Sequence, residues 1–117
     1  MEKKGYKNLE VWEKADALAK AVYKATVNFP KDEIYGITSQ LRRAVLSVPI
    51  NIVEGTGRQG RKELKQFANI ALGSLAETEY LIEFCKDIGY LNEEKFLNLE
   101  QLRNKTGKLL WGFYKSL

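Results

Sequence analysis

Apolar residues recur at steps of three and four along most of the chain, the spacing of amphipathic helices. The pattern is clearest around Gln40 to Arg58, QLRRAVLSVPINIVEGTGR. Ile37, Leu41, Ala44, Val45, Val48 and Ile52 mark one buried face there, and Gln40, Arg43, Ser47, Asn51 and Glu54 mark a polar stripe. Pro49 sits inside this period; its ring removes a backbone donor, so the spacing predicts a helix that bends and continues. The stretch leaves through Gly55, Gly57 and Gly60.

The other segments fall on either side. Residues 1–7 read as a basic, poorly ordered arm. Asn8 is the expected N-cap of a first helix carrying Trp12, Ala15, Leu18, Ala19, Val22, Tyr23, Thr26 and Phe29, which ends near Asn28 ahead of Pro30. The central helix then begins between Asp32 and Thr38. A third helix opens near Arg61 and keeps its stripe (Leu64, Phe67, Ala68, Ala71, Leu75, Thr78, Ile82, Cys85, Ile88) over a rod of roughly 40 Å. Gly89 is its expected left-handed stop. Asn92 caps a fourth helix with Phe96, Leu99, Leu102, Thr106, Leu109, Leu110, Phe113 and Leu117 on one side. The fold class expected is all-α, an antiparallel up-down-up-down four-helix bundle in a single domain over residues 1–117.

Several helices are apolar or small on more than one side. Leu46 and Ile50 on the second, Ile70, Gly73, Ser74, Leu81 and Phe84 on the third, and Leu97 and Trp111 on the fourth lie off the main stripes. A helix apolar on two sides needs two partners, so the second face reads as a subunit interface, against the plainer reading of a thick monomer core. Gly73 in mid-helix costs about 1 kcal/mol relative to alanine unless close approach compensates.

Composition removes whole classes of chemistry. The chain has no histidine and one cysteine, Cys85, placed on an apolar stripe. Disulfides, cysteine metal clusters and Ser-His or Cys-His catalysis are excluded within the chain. A ferritin-like di-metal centre needs Glu-x-x-His pairs. No catalytic residue, metal site or cofactor is expected. Glu54, Glu77 and Glu79 carry no hydrolase motif. Instead Arg43, Ser47, Asn51, Glu54, Ser74 and Glu77 are expected to form a polar network between the second and third helices, because buried polar groups left unpaired cost about 1–3 kcal/mol each. No leader-like or membrane-spanning segment stands out, so a cytoplasmic protein is expected.

Charge adds the functional clue. The net charge is +4, and the window Arg42–Gln66, with six cations and two carboxylates, carries as much on its own. From Glu77 to Glu100 the balance reverses to seven carboxylates and two lysines. In an up-down bundle Lys3, Lys4, Lys7, Arg58, Arg61, Lys62, Lys65 and Lys115 meet at one end, and Asp32, Glu33, Asp87, Glu93 and Glu94 at the other. GTGRQGRK (Gly55–Lys62) lacks the strand and Gly-Lys-Ser/Thr ending of a phosphate loop. It nonetheless sets Arg58, Arg61 and Lys62 beside a helix N-terminus, where free amides favour anions. The readings are a solvated basic turn or a nucleic-acid-backbone contact by Arg58, Arg61, Lys62, Lys65, Lys3, Lys4 and Lys7. Tyr6, Trp12, Trp111 and Tyr114 lie near enough to add stacking, with Trp12 more at home in the core.

FPKDEIYG (Phe29–Gly36), QLRRAVLSVPINIVEG (Gln40–Gly55), GSLAETEY (Gly73–Tyr80) and GYL (Gly89–Leu91) together resemble the 23S rRNA intervening-sequence protein family of four-helix bundles. The core Ser47, Pro49, Asn51, Ile52, Glu54 and Gly55 is its most specific part; Ala76 is a small departure. The resemblance implies a homopentamer of bundles forming a barrel around a channel. A distant branch includes the accessory protein of diversity-generating retroelements, a basic pentamer that binds a reverse transcriptase and its RNA. The function expected is a non-enzymatic oligomeric scaffold binding RNA or DNA through its basic pole. The alternative is a protein-binding adaptor, such as an accessory subunit of a retroelement reverse transcriptase.

Overall fold

Glycines and one asparagine mark most of the helix boundaries. The computed structural model describes residues 5–117, and four α-helices account for most of them: α1 (Glu10–Ala25), α2 (Ile37–Thr56), α3 (Arg61–Asp87) and α4 (Glu93–Lys115). Short 3-10 turns occupy Gly5–Asn8 and Lys31–Glu33, and no strand occurs among the described residues. None of the helices is long and apolar enough to cross a membrane.

Gly60 (φ 139°) precedes α3 and Gly89 (φ 87°) follows it. At the latter the Tyr90 N–H reaches back to the Cys85 carbonyl at 2.8 Å and the Gly89 N–H to that of Lys86 at 3.0 Å. This paired closure takes up the Cys85 and Lys86 carbonyls in the last turn of α3 and needs a residue at ease with positive φ. Asn92 then accepts from the Lys95 N–H at 2.8 Å, capping α4 as expected. α2 runs unbroken through Pro49.

The first helix departs from expectation at both ends. Asn8 belongs to the 3-10 turn, and Leu9 holds the N-cap position without a side-chain bond. So residues 5–7 are structured; Lys3 and Lys4 lie outside the described residues. The helix stops at Ala25, three residues before Asn28. Thr26 turns out of it, its hydroxyl donating to the Val22 carbonyl at 2.9 Å and accepting from Arg42 Nε at 2.8 Å.

Each helix packs on two others in a closed cycle: α1 on α2, α2 on α3, α3 on α4, α4 on α1. Cross-helix pairs fix the directions. Arg42 meets Thr26, Ser47 meets Ser74, Arg103 meets Glu79, and Arg61 meets Ser116, so consecutive helices run antiparallel. The body measures 43 × 29 × 24 Å, its long dimension matching the expected length of α3. Leu18, Val22, Leu41, Val45, Val48, Ile52, Ile82, Leu99 and Leu110 are closed to solvent and form one continuous core. Each such side chain contributes about 1.5–3 kcal/mol on burial.

The apolar stripes need three corrections. Leu81 belongs to the core, while Tyr23 and Ile88 face outward; Ile88 is the C-cap residue, past the last helical position of α3. Leu46, Ile50, Ile70, Phe84, Leu97 and Trp111 are exposed. A Cβ added at Gly73 would meet nothing within 4 Å, so among the described residues no other element packs against this glycine there. At Gly55 the Cβ would lie 2.8 Å from Leu64 Cδ1 and 2.9 Å from Phe67 Cβ. The close approach of α2 and α3 is therefore at Gly55.

Candidate nucleic-acid interface

The α2–α3 turn, the start of α1 and the end of α4 meet at one end of the bundle. Gly5, Leu9, Arg58, Arg61, Phe113 and Leu117 share a recess of about 440 Å³ there. Arg61 Nη1 donates to the Ser116 carbonyl at 3.2 Å, tying the first turn of α3 to the last of α4. The Arg58 guanidinium lies 5.0 Å above the Phe67 ring and 3.8 Å from Glu54. Lys65 Nζ lies 4.9 Å from the Tyr114 ring, and Lys115 Nζ 5.7 Å from that of Trp111. Lys62 and Lys7 are exposed and form no ion pair among the described residues. Within this basic set the one ion-paired member among the described residues is Arg58, with Glu54. No side chain caps the N-terminus of α3, so its first amides add to the positive potential.

The aromatic residues are more committed than expected. Trp12 is half-buried and meets Tyr6 edge-on at 5.1 Å, which removes both from easy stacking on a base. Trp111 and Tyr114 stack on each other at 5.6 Å, with Trp111 half exposed. The opposite end is held by carboxylates: Glu33 accepts from the Tyr90 hydroxyl at 2.9 Å, and Glu93 pairs with Lys86 at 3.2 Å.

The polar network between α2 and α3 is smaller than the sequence suggests. Ser47 and Ser74 share a hydrogen bond at 2.8 Å, and Asn51 Nδ2 donates to the Ser47 hydroxyl at 2.9 Å and the Ser47 carbonyl at 2.8 Å. Arg43 and Glu77 are exposed on the rim of a groove of about 520 Å³ whose base is this serine pair, and they do not pair with each other. Glu54 is half exposed beside Arg58. It cannot reach Arg43, which lies three turns and roughly 16 Å back along the same helix.

Two arginines matter more than the sequence disclosed. Arg42 binds Thr26 and the Tyr23 carbonyl and covers the Tyr23 ring at 4.8 Å, holding α1 to α2. Arg103 pairs with Glu100 at 2.6 Å and Glu79 at 3.4 Å. The Glu100 hydrogen bond above all raises the Arg103 pKa. Carboxylate oxygens of Glu79, Glu83 and Glu100 come within 4.8 Å of one another, as metal ligands would. Arg103 already supplies the positive charge for two of them. Of these contacts only the i,i+3 spacing of Glu100 and Arg103 shows in the sequence.

No curated protein matches this chain. Among solved structures, a protein of unknown function from the S23 ribosomal protein family of Bacteroides thetaiotaomicron superposes with a TM-score of 0.80 at 28% identity, covering 90% of this chain and 98% of that one. The family model for the 23S rRNA-intervening sequence protein matches residues 7–112. With that span and that fold, the chain belongs to the 23S rRNA-intervening sequence protein family.

Proposed function

We propose that this protein is a non-enzymatic, self-associating scaffold that holds nucleic acid on its basic end. The observation that carries the reading is the gathering of Arg58, Arg61, Lys62, Lys65, Lys115 and Lys7 around the α2–α3 turn, six cations against Glu54, the one carboxylate ion-paired with them among the described residues, and Glu63 in the first turn of α3. One copy offers a weak, salt-screened site. Several copies side by side multiply it through avidity. The exposed Leu46, Ile50, Ile70 and Phe84 and the open surface at Gly73 support self-association, and the family resemblance favours a pentamer.

Binding should fall steeply with salt and discriminate little between sequences, since the contacts offered are to phosphates. Electrophoretic mobility shift at about 50 mM salt with structured RNA, single strands and duplex tests this, with light scattering giving the mass. Joint reversal of Arg58, Arg61 and Lys62 to glutamate should abolish the shift and leave the mass unchanged. Reversal of Glu93 and Glu94 at the other end should not weaken it. A parent that shifts none of the three nucleic acids would pass the role to a protein partner.

A further inference from the structure

The outer surface of the α1–α4 pair carries a recess of about 500 Å³ that the basic end does not use. Its floor is small and apolar (Ala17, Ala21, Ala25), its rim is Lys20, Lys24 and Lys95, and no carboxylate lines it. Away from the core, α3 presents the inverse. Tyr80, Phe84 and Ile88, four residues apart, are 62%, 39% and 45% exposed. Glu77, Glu83 and Asp87 flank them, exposed and without a salt bridge among the described residues. From Gln66 to Cys85 the helix has no lysine or arginine.

We infer that the α3 stripe of one copy seats in the lysine-rimmed α1–α4 recess of another, a head-to-tail contact. The inference rests on the self-association reading above and names the two surfaces that meet. Like charges exclude the symmetric alternatives: stripe on stripe would oppose carboxylates to carboxylates, and recess on recess lysines to lysines. Head-to-tail pairing opposes three carboxylates to three ammonium groups around an apolar centre; Lys24 and Lys95 have no ion pair among the described residues, and Lys20 is shared with Asp16 at 2.8 Å. An alanine floor leaves room for Tyr80 and Phe84, aromatic side chains with about 150–250 Å² each to bury. Because the two surfaces differ, every copy has both a donor and a receiver, and the contact propagates from copy to copy.

Complementary charge reversal tests it on the whole chain, with circular dichroism confirming that each variant is helical. One variant carries Lys20→Glu, Lys24→Glu and Lys95→Glu; the other carries Glu77→Lys, Glu83→Lys and Asp87→Lys. Light scattering should show each alone shifted to monomer at a concentration where the parent is assembled. An equimolar mixture should reassociate above monomer in alternating order, because each reversed surface then meets its opposite; a ring of five cannot alternate throughout, so the readout is mixed association and not the parent's mass. In a second measurement, Ala17→Cys and Tyr80→Cys proteins mixed under oxidising conditions should yield the mixed disulfide dimer. Native Cys85 stays out of the exchange, being buried with its thiol pushed up to about 11. A monomeric parent overturns self-association and this contact together. A parent that assembles while both reversed variants assemble equally well, or while the mixture stays monomeric, overturns this contact alone and leaves self-association to another face.

Discussion

Thr38 is buried to 4% exposure, and its hydroxyl is the one buried side-chain polar atom without a partner among the described residues. A buried donor left unmade costs about 1–3 kcal/mol, whereas a methyl in its place costs nothing of that kind. Thr38→Val should therefore raise the melting temperature by a few degrees, and an unchanged or lower value would mean that the hydroxyl is satisfied in solution. Two neighbours on α2 make the opposite contrast. Gly55→Ala drives a methyl into Leu64 and the Phe67 Cβ, and overpacking of that kind costs about 1–3 kcal/mol. Glu54→Ala, one residue earlier, removes only an exposed pair, worth at most about 1 kcal/mol. Chemical denaturation of the two variants side by side should rank them in that order.

At the scale of elements, boundaries depend on single residues whose conformational demands are local. Gly89 is the sharpest case: at φ 87° a side chain strains the backbone by about 1–2 kcal/mol, so Gly89→Ala should destabilise by that amount in urea. A loss below about 0.5 kcal/mol would show that the turn relaxes into another geometry. The same locality is why the start of α3, its stop and the Asn92 cap could be read from sequence, and the basic end with them. The pairing of side chains between helices could not. Whether Arg42 meets Thr26, or Arg103 meets Glu79, depends on how two helices are rotated about their axes, and a period of three and four leaves that rotation loose; the Ser47–Ser74 bond, by contrast, falls within the polar set expected between α2 and α3. The end of α1 at Ala25 is hidden from the sequence for a related reason. Pro30 shows where a helix can no longer continue, but Thr26 ends it earlier through a bond to an arginine on the next helix. The grouping of Arg43 with Glu54 is different, since eleven residues of helix already hold them apart. Leu81 and Ile88 lie seven residues apart, nearly on one face, and differ because Leu81 is inside the helix while Ile88 is its C-cap, past the last helical residue.

For the whole molecule, the decisive arrangement is the closed cycle of packing, with charge sorted to opposite ends and apolar surface left on the outer sides of α2 and α3. The proposed scaffold follows from both: the apolar sides bring copies together, and the ends repeat one basic turn per copy. Gly5, Leu9, Phe113 and Leu117 also line one recess, so the beginning and end of the described chain lie side by side. In chain-connectivity terms the fold is nearly a loop that happens to be cut between α4 and α1. Joining the ends by a short glycine-serine linker and reopening the exposed turn between Arg58 and Gln59 should give a permuted protein with the same helix content by circular dichroism. That cut turns the most extensively packed pair, α2 and α3, from sequence neighbours into the two ends of the chain. The permuted protein should consequently refold more slowly than the parent in stopped-flow dilution, because its main contact now closes the longest loop rather than the shortest.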